Sequence, residues 1–203
     1  MELSLFDPQE FDTFNLLPKD GEVYYYPQFL SNDEADLLLA QIQNYQEYTQ
    51  DSINFKGKIQ LIPRLQAWYG DPDKPFSYSG IKLNPSPWKP ELISLNDKLR
   101  EKTGKDFSSV LVNLYRDGND SVSWHCDDSP ELGVNPYIAS ISLGAVRTFK
   151  LRNLEDKTLK KDIRLEHGSL LIMAGETQHK WQHSVPKEEI NGPRVNLTYR
   201  IIV

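Results

Sequence analysis

At 203 residues and 23.4 kDa, the chain suits a single domain with a sizeable core. No run of about 18 apolar residues offers a membrane span, and the acidic opening MELSLFDPQEFD lacks the basic and apolar regions of a signal peptide. A lone cysteine, Cys126, excludes an intramolecular disulfide and suits a reducing compartment, while a net charge of −6 gives the chain as a whole no attraction for nucleic acid. These features predict a cytoplasmic protein, or a nuclear one in a eukaryote, with no membrane association; a monomer is expected.

Along the chain, Ser31-Asn-Asp-Glu34 has the form of a capping box and predicts an amphipathic helix running to about Tyr45. NFKGKIQLIPR then groups three basic residues, Lys56, Lys58 and Arg64. A second helix is predicted from Pro90, with Leu92, Leu95 and Leu99 on one face and Gly104 as its stop. Beyond that point the helical period fades. Short β-runs follow: SSVLVNLY, SVSWHCD, YIASISLG, VRTFKLR, GSLLIMAG, HKWQHSV and RVNLTYRIIV. Residues 150–164 carry six basic and three acidic side chains, a local patch able to meet phosphates although the body is acidic. The predicted fold class is α+β, mainly β: a jelly roll with the N-terminal helices packed on one sheet.

The densest chemistry lies in SWHCDDSP, residues 123–130. His125 and Asp127 are two apart, so an extended strand points both side chains to one face. A third ligand has three candidates, His167, His179 and His183. His167 precedes a glycine in LEHGS, which predicts a turn, whereas His183 sits in the alternating run KWQHSVP. Two imidazoles and one carboxylate on one face suit non-haem Fe(II) with coordination positions left open. Zinc is less favoured, because structural zinc sites recruit thiolates and Cys126 points away from its neighbours. Farther on, Arg194, Asn196, Thr198 and Arg200 alternate with Val195, Leu197 and Tyr199. Two arginines and two small polar residues make poor core but a good clamp for a dicarboxylate, since guanidinium binds carboxylate in a fork.

Together, His125-x-Asp127, His183 and Arg194-x5-Arg200 resemble the AlkB family of Fe(II)/2-oxoglutarate dioxygenases. The likeness extends through VNLYRDGNDSVSWHCDD, ASISLGAVRTFKLR, EHGSLLIMAG, HSVP and PRVNLTYR, so it covers most of residues 55–203, and it is greatest to the DNA-repair members. The resemblance implies a double-stranded β-helix in a single dioxygenase domain over 1–203. Within it, 1–50 would be an N-terminal extension with a helix, 51–90 nucleotide-recognition loops and 105–203 the jelly-roll core. It implies Fe(II) bound by His125, Asp127 and His183, with 2-oxoglutarate and dioxygen as cosubstrates. Arg194 would pair with the distal carboxylate of 2-oxoglutarate, Asn113 and Tyr115 would hydrogen-bond it, and Thr198 and Arg200 would complete the pocket with Asn196 nearby.

The family oxidises methyl groups on nucleobases, which implies nucleic acid as the partner, methylated DNA with RNA as a second substrate. The reaction implied is oxidative demethylation of N1-methyladenine and N3-methylcytosine with release of formaldehyde, succinate and carbon dioxide. A base must leave its stack to be reached. Tyr78, before a Ser-Gly turn, would stack on it against His125, and Asp128 would complement a cationic base. Arg64, Lys56 and Phe55 are further substrate contacts by this likeness. Duplex-acting relatives carry an aromatic finger in the loop aligned with 54–58; here Lys56 takes that place and Phe55 lies one position off. An oxygenase for a protein or small molecule on the same iron site is the alternative reading.

Overall fold

The computed structural model describes residues 14–55, 57–74, 76–78 and 81–203, without the side chains of 54, 55, 76–78 and 81–83. Two antiparallel sheets face each other, and two helices cover the outer side of the larger one. The larger sheet runs β1 (Glu22–Tyr26), β12 (Ser169–Ala174), β9 (Ile138–Gly144), β14 (Arg194–Arg200), β7 (Ser109–Tyr115) and β4 (Leu65–Gly70). The smaller runs β11 (Lys160–Leu165), β10 (Arg147–Asn153), β13 (Trp181–Val185) and β8 (Val122–His125). Two hairpins stand beside them, β2 (Ser52–Phe55) with β3 (Lys58–Leu61), and β5 (Phe76–Tyr78) with β6 (Ile81–Leu83). The expected jelly roll is present.

Helix α1 (Asn32–Ile42) opens on the capping box: Ser31 Oγ accepts from the Glu34 amide, and Glu34 accepts from the Ser31 amide. It ends at Ile42 rather than Tyr45, because the chain turns to lay the Tyr45 ring 5.6 Å from Tyr69 of β4. Helix α2 (Pro90–Thr103) buries Leu92, Leu95 and Leu99, and Gly104 caps it at φ 66°. Both helices pack on one apolar cluster that includes Val195, Leu197 and Tyr199 of β14.

Several strands depart from their sequence limits. The run 121–127 is strand only to His125. The run 179–185 begins at Trp181, because Thr177–Lys180 forms the short helix α3, where Thr177 Oγ1 donates to the Ala174 carbonyl. The stretch 51–90, read as loops, contributes β4, whose register pairs Gln66 with Asn113 and Trp68 with Leu111. The stretch 1–50, read as an extension, contributes β1, paired along its whole length with β12. The basic run 150–164 becomes the β10–β11 hairpin, with Ile163 and Leu165 turned into the space between the sheets.

Strand β14 holds the layers together. It lies inside the larger sheet between β9 and β7, and all seven residues are buried, so its arginines are not those of an exposed edge. Period-2 alternation sends Val195, Leu197 and Tyr199 to the helices and Arg194, Asn196, Thr198 and Arg200 to the opposite side. The Tyr199 hydroxyl donates to the Leu92 carbonyl at 2.9 Å, fastening α2 to the sheet. Tyr199→Phe is expected to cost about 1 kcal/mol, or roughly 2–4 °C in Tm, on losing that bond. Thermal melts and cosubstrate titration check it: Tm falls and cosubstrate affinity stays unchanged, because the two faces of β14 are separate.

Candidate metal centre and cosubstrate pocket

His125 ends β8, and its register partner across to β13 is His183, so the two rings meet with centroids 4.2 Å apart. Asp127 lies past the strand end, yet one ligand atom each from His125, Asp127 and His183 falls within 4.8 Å of the others. The expected trio therefore converges, although not through continuous strand geometry. Two contacts turn Asp127 inward after the strand stops. Its amide donates to Gln178 Oε1 at 2.9 Å, and its Oδ2 accepts from Arg200 Nη2 at 2.7 Å.

Protonation states suit a cation ligand set. His125 Nδ1 lies 2.8 Å from the Ser123 carbonyl, which requires the proton there and leaves Nε2 as the donor atom, 3.8 Å from Asp127 Oδ1. Burial, reinforced by the nearby His125, pushes His183 down to about 3, so its ring is neutral at physiological pH, as ligation demands. Its Nδ1 is buried without a partner among the described residues. Burial alone would raise Asp127, but Arg200 outweighs it, with His125 and His183 adding, and the carboxyl is held well below the usual range. Cys126 Sγ is directed to the Trp181 carbonyl at 3.4 Å and stays out of the set. Two neutral imidazoles and a carboxylate fit Fe(II). Of the other histidines, His167 accepts from the Gly144 amide in a turn and His179 is exposed on α3.

The strand that supplies Arg200 also buries a second arginine on the same face. Arg194 is 1% exposed and donates from Nη2 to Ser142 Oγ at 3.0 Å. Its Nε and Nη1 have no partner among the described residues, and no carboxylate there lies within ion-pair reach. A buried charge left unpaired costs about 3–5 kcal/mol. The Tyr115 ring lies 5.0 Å from this guanidinium and 5.6 Å from that of Arg147, between the two. Arg147 is fully spent on Glu188 and on the carbonyls of Asp117, Asp120 and Pro186, which ties the loops at this end together. Such a site accepts a carboxylate.

The other expected pocket residues differ in what they offer. Asn196 is consumed by the fold: Nδ2 donates to Ser140 Oγ and the Ile141 carbonyl, and Oδ1 accepts from Thr198. Asn113 and Tyr115 are buried on the inner face of β7, where Asn113 Oδ1 accepts from Arg64 Nε at 2.8 Å. Arg64, grouped in sequence with Lys56 and Lys58, is only 8% exposed and turns inward, because it precedes β4 on the same face as Gln66. Asp128 is exposed beside the trio. Lys56 lies outside the described residues; Phe55 and Tyr78 are placed at the ends of β2 and β5, but their side chains lie outside them.

Two contributors escaped sequence reasoning. Gln178 carries no pattern that sets it apart. Arg147 had a signal: in VRTFKLR it shares the inward face with Phe149 and Leu151, where a charge demands partners.

The profile of the 2OG-Fe(II) oxygenase superfamily matches residues 22–200. Human alpha-ketoglutarate-dependent dioxygenase alkB homolog 3 is 44% identical over 192 residues, covering 90% of this chain and 66% of its own. Bovine DNA oxidative demethylase ALKBH2 is 37% identical over 202 residues, covering 94% of this chain and 73% of its own. The chain belongs to the AlkB family of Fe(II)/2-oxoglutarate dioxygenases. Family membership and donor set agree on Fe(II), 2-oxoglutarate and dioxygen. A solved structure of OsALKBH1 shares the fold, with TM-score 0.57 at 21% identity over 88% of this chain and 97% of that one. The chain spans just under two thirds of the length of alkB homolog 3. No helix among the described residues is long and apolar enough to cross a membrane.

Asp127→Ala removes the one anionic ligand and leaves Arg200 without this carboxylate. Mn(II) binding by calorimetry and succinate formation should both be lost, while His179→Ala leaves both unchanged. Arg194→Lys keeps the charge but not the planar fork; its apparent 2-oxoglutarate constant should rise about tenfold, equal to about 1.4 kcal/mol.

Proposed function

We propose that this chain demethylates N-alkylated bases in nucleic acid, with N1-methyladenine and N3-methylcytosine as preferred lesions. The observation that carries the reading is the ligand trio together with a buried Arg194 that meets no carboxylate among the described residues, in a chain similar to proteins named for dioxygenase and DNA demethylase activity. Iron, dioxygen and 2-oxoglutarate, when bound, supply the oxidation that converts an N-methyl to an N-hydroxymethyl, with succinate and carbon dioxide as co-products. The hydroxymethyl adduct then collapses to formaldehyde and the plain base.

The chain's own residues do the binding and orienting. Arg194 takes the distal carboxylate of 2-oxoglutarate, with Asn113 and Tyr115 as further partners. Arg200 keeps Asp127 ionised and aimed. The His125 side chain, 39% exposed, faces the approach and offers a ring for a flipped base to lie on, with Tyr78 as the opposing plane. Asp128 supplies negative charge for a cationic base. On the outer face of the smaller sheet, Lys150, Arg152, Lys160, Trp124 and Asp162 line a cleft in which Lys150 pairs with Asp162 at 2.6 Å and Arg152 lies 4.0 Å from the centroid of the Trp124 ring. That face suits the phosphates of a flanking strand.

Matched oligonucleotides carrying single lesions, assayed for formaldehyde and succinate, test the reading. N1-methyladenine and N3-methylcytosine cannot pair normally and carry positive charge, so both should outpace neutral N6-methyladenine. Lacking an assigned finger at 54–58, the protein should process single strands at least as well as duplex. Tyr78→Ala should lose about tenfold or more in kcat/KM, because base stacking is worth about 1–3 kcal/mol. Fastest turnover of N6-methyladenine, or a silent Tyr78→Ala, defeats the base-pocket reading. Succinate formation stimulated by a peptide or metabolite, and by no oligonucleotide, favours the alternative oxygenase.

A further inference from the structure

We propose that Arg64 is a positioning residue for the cosubstrate: it fixes the orientation of the Asn113 amide so that its NH2 group faces the bound dicarboxylate. The inference rests on the reading that Asn113 meets 2-oxoglutarate.

The argument begins with donor and acceptor inventory. A guanidinium has only donors, so whatever meets Arg64 Nε at 2.8 Å must be an acceptor. The oxygen of Asn113, not its nitrogen, therefore faces Arg64, and this follows from chemistry rather than from the similar shapes of the two amide ends. Nδ2 is turned the other way. It makes no hydrogen bond among the described residues. Asn196, across the register from Asn113, contributes no competing amide, since its own is consumed by Ser140, Ile141 and Thr198.

Arg64 is itself held in place. It lies just ahead of β4, where Leu65 pairs with Leu114 and Gln66 with Asn113, so it stands over the Asn113–Tyr115 end of β7. Its amide donates to the Ile62 carbonyl, and the Pro63 carbonyl accepts from Ser121, which fixes the turn from which it reaches inward. Both Arg64 and Asn113 are buried. Remove Arg64, and the amide is free to turn its oxygen toward an incoming carboxylate, where two acceptors repel.

The test measures 2-oxoglutarate affinity directly, by calorimetry on the full chain loaded with Mn(II) and without nucleic acid. Arg64→Met, which has no donor, should weaken 2-oxoglutarate about tenfold. Arg64→Lys, which keeps one, should stay within about threefold of the wild type. Asn113→Ala should weaken it similarly to Arg64→Met, and the double variant should be no weaker than Asn113→Ala alone, because the effect of Arg64 on 2-oxoglutarate passes through that amide. Additive losses overturn the proposal. So does an Arg64→Met protein of unchanged 2-oxoglutarate affinity and weakened oligonucleotide binding, which would make Arg64 a phosphate contact. A wild type that fails to bind 2-oxoglutarate at all defeats the underlying cosubstrate reading, and this proposal with it.

Discussion

The inner face of β14 buries two guanidinium groups, and the site is arranged around how each is answered. Arg200 meets Asp127, and in doing so draws a carboxylate that has already left its strand back toward two imidazoles. Arg194 is answered by no carboxylate among the described residues. Desolvating a cation is expensive whether or not it is paired, so a fold keeps one unpaired only where something outside the chain completes it. One arginine builds the ligand set and the other defines what must come beside it.

That arrangement depends on the outer face of the same strand being entirely apolar. Val195, Leu197 and Tyr199 join a cluster fed by both helices, and this burial anchors β14 against the electrostatic cost on its other side. The neighbouring strands repeat the division. Ser140 and Ser142 of β9 and Asn113 of β7 lie in register with β14's polar residues and supply small hydrogen-bonding groups where large side chains would fill the pocket.

Much of this was legible in alternation. RVNLTYR announced two faces, the capping box placed the start of α1, and the ligand trio was recoverable from two-residue spacing and a third histidine on an alternating run. What alternation could not show was anything set by a distant partner. EVYYY has no period-2 pattern and becomes a strand because β12 offers it a ladder; LQAWYG is buried on both sides and reads no differently from a loop between hairpins. Asp127 reaches the site by way of Gln178 and Arg200, 51 and 73 residues away, not by continuing β8. Arg64 looked like one of a basic set until its position ahead of β4 turned it inward.

The ordering of the smaller sheet has a consequence for how the centre holds together. Among the described strands β8 is an edge: only β13 flanks it, through a register interrupted between His183 and Val185. Two of the three ligands thus belong to, or just follow, the least restrained strand of the sheet, while His183 belongs to an interior one. An ion bridging them stitches a margin to its neighbour, and some of its binding free energy goes into ordering that margin. Ligation of His125 and His183 by one ion would add to the β8–β13 seam a restraint that its interrupted ladder does not supply.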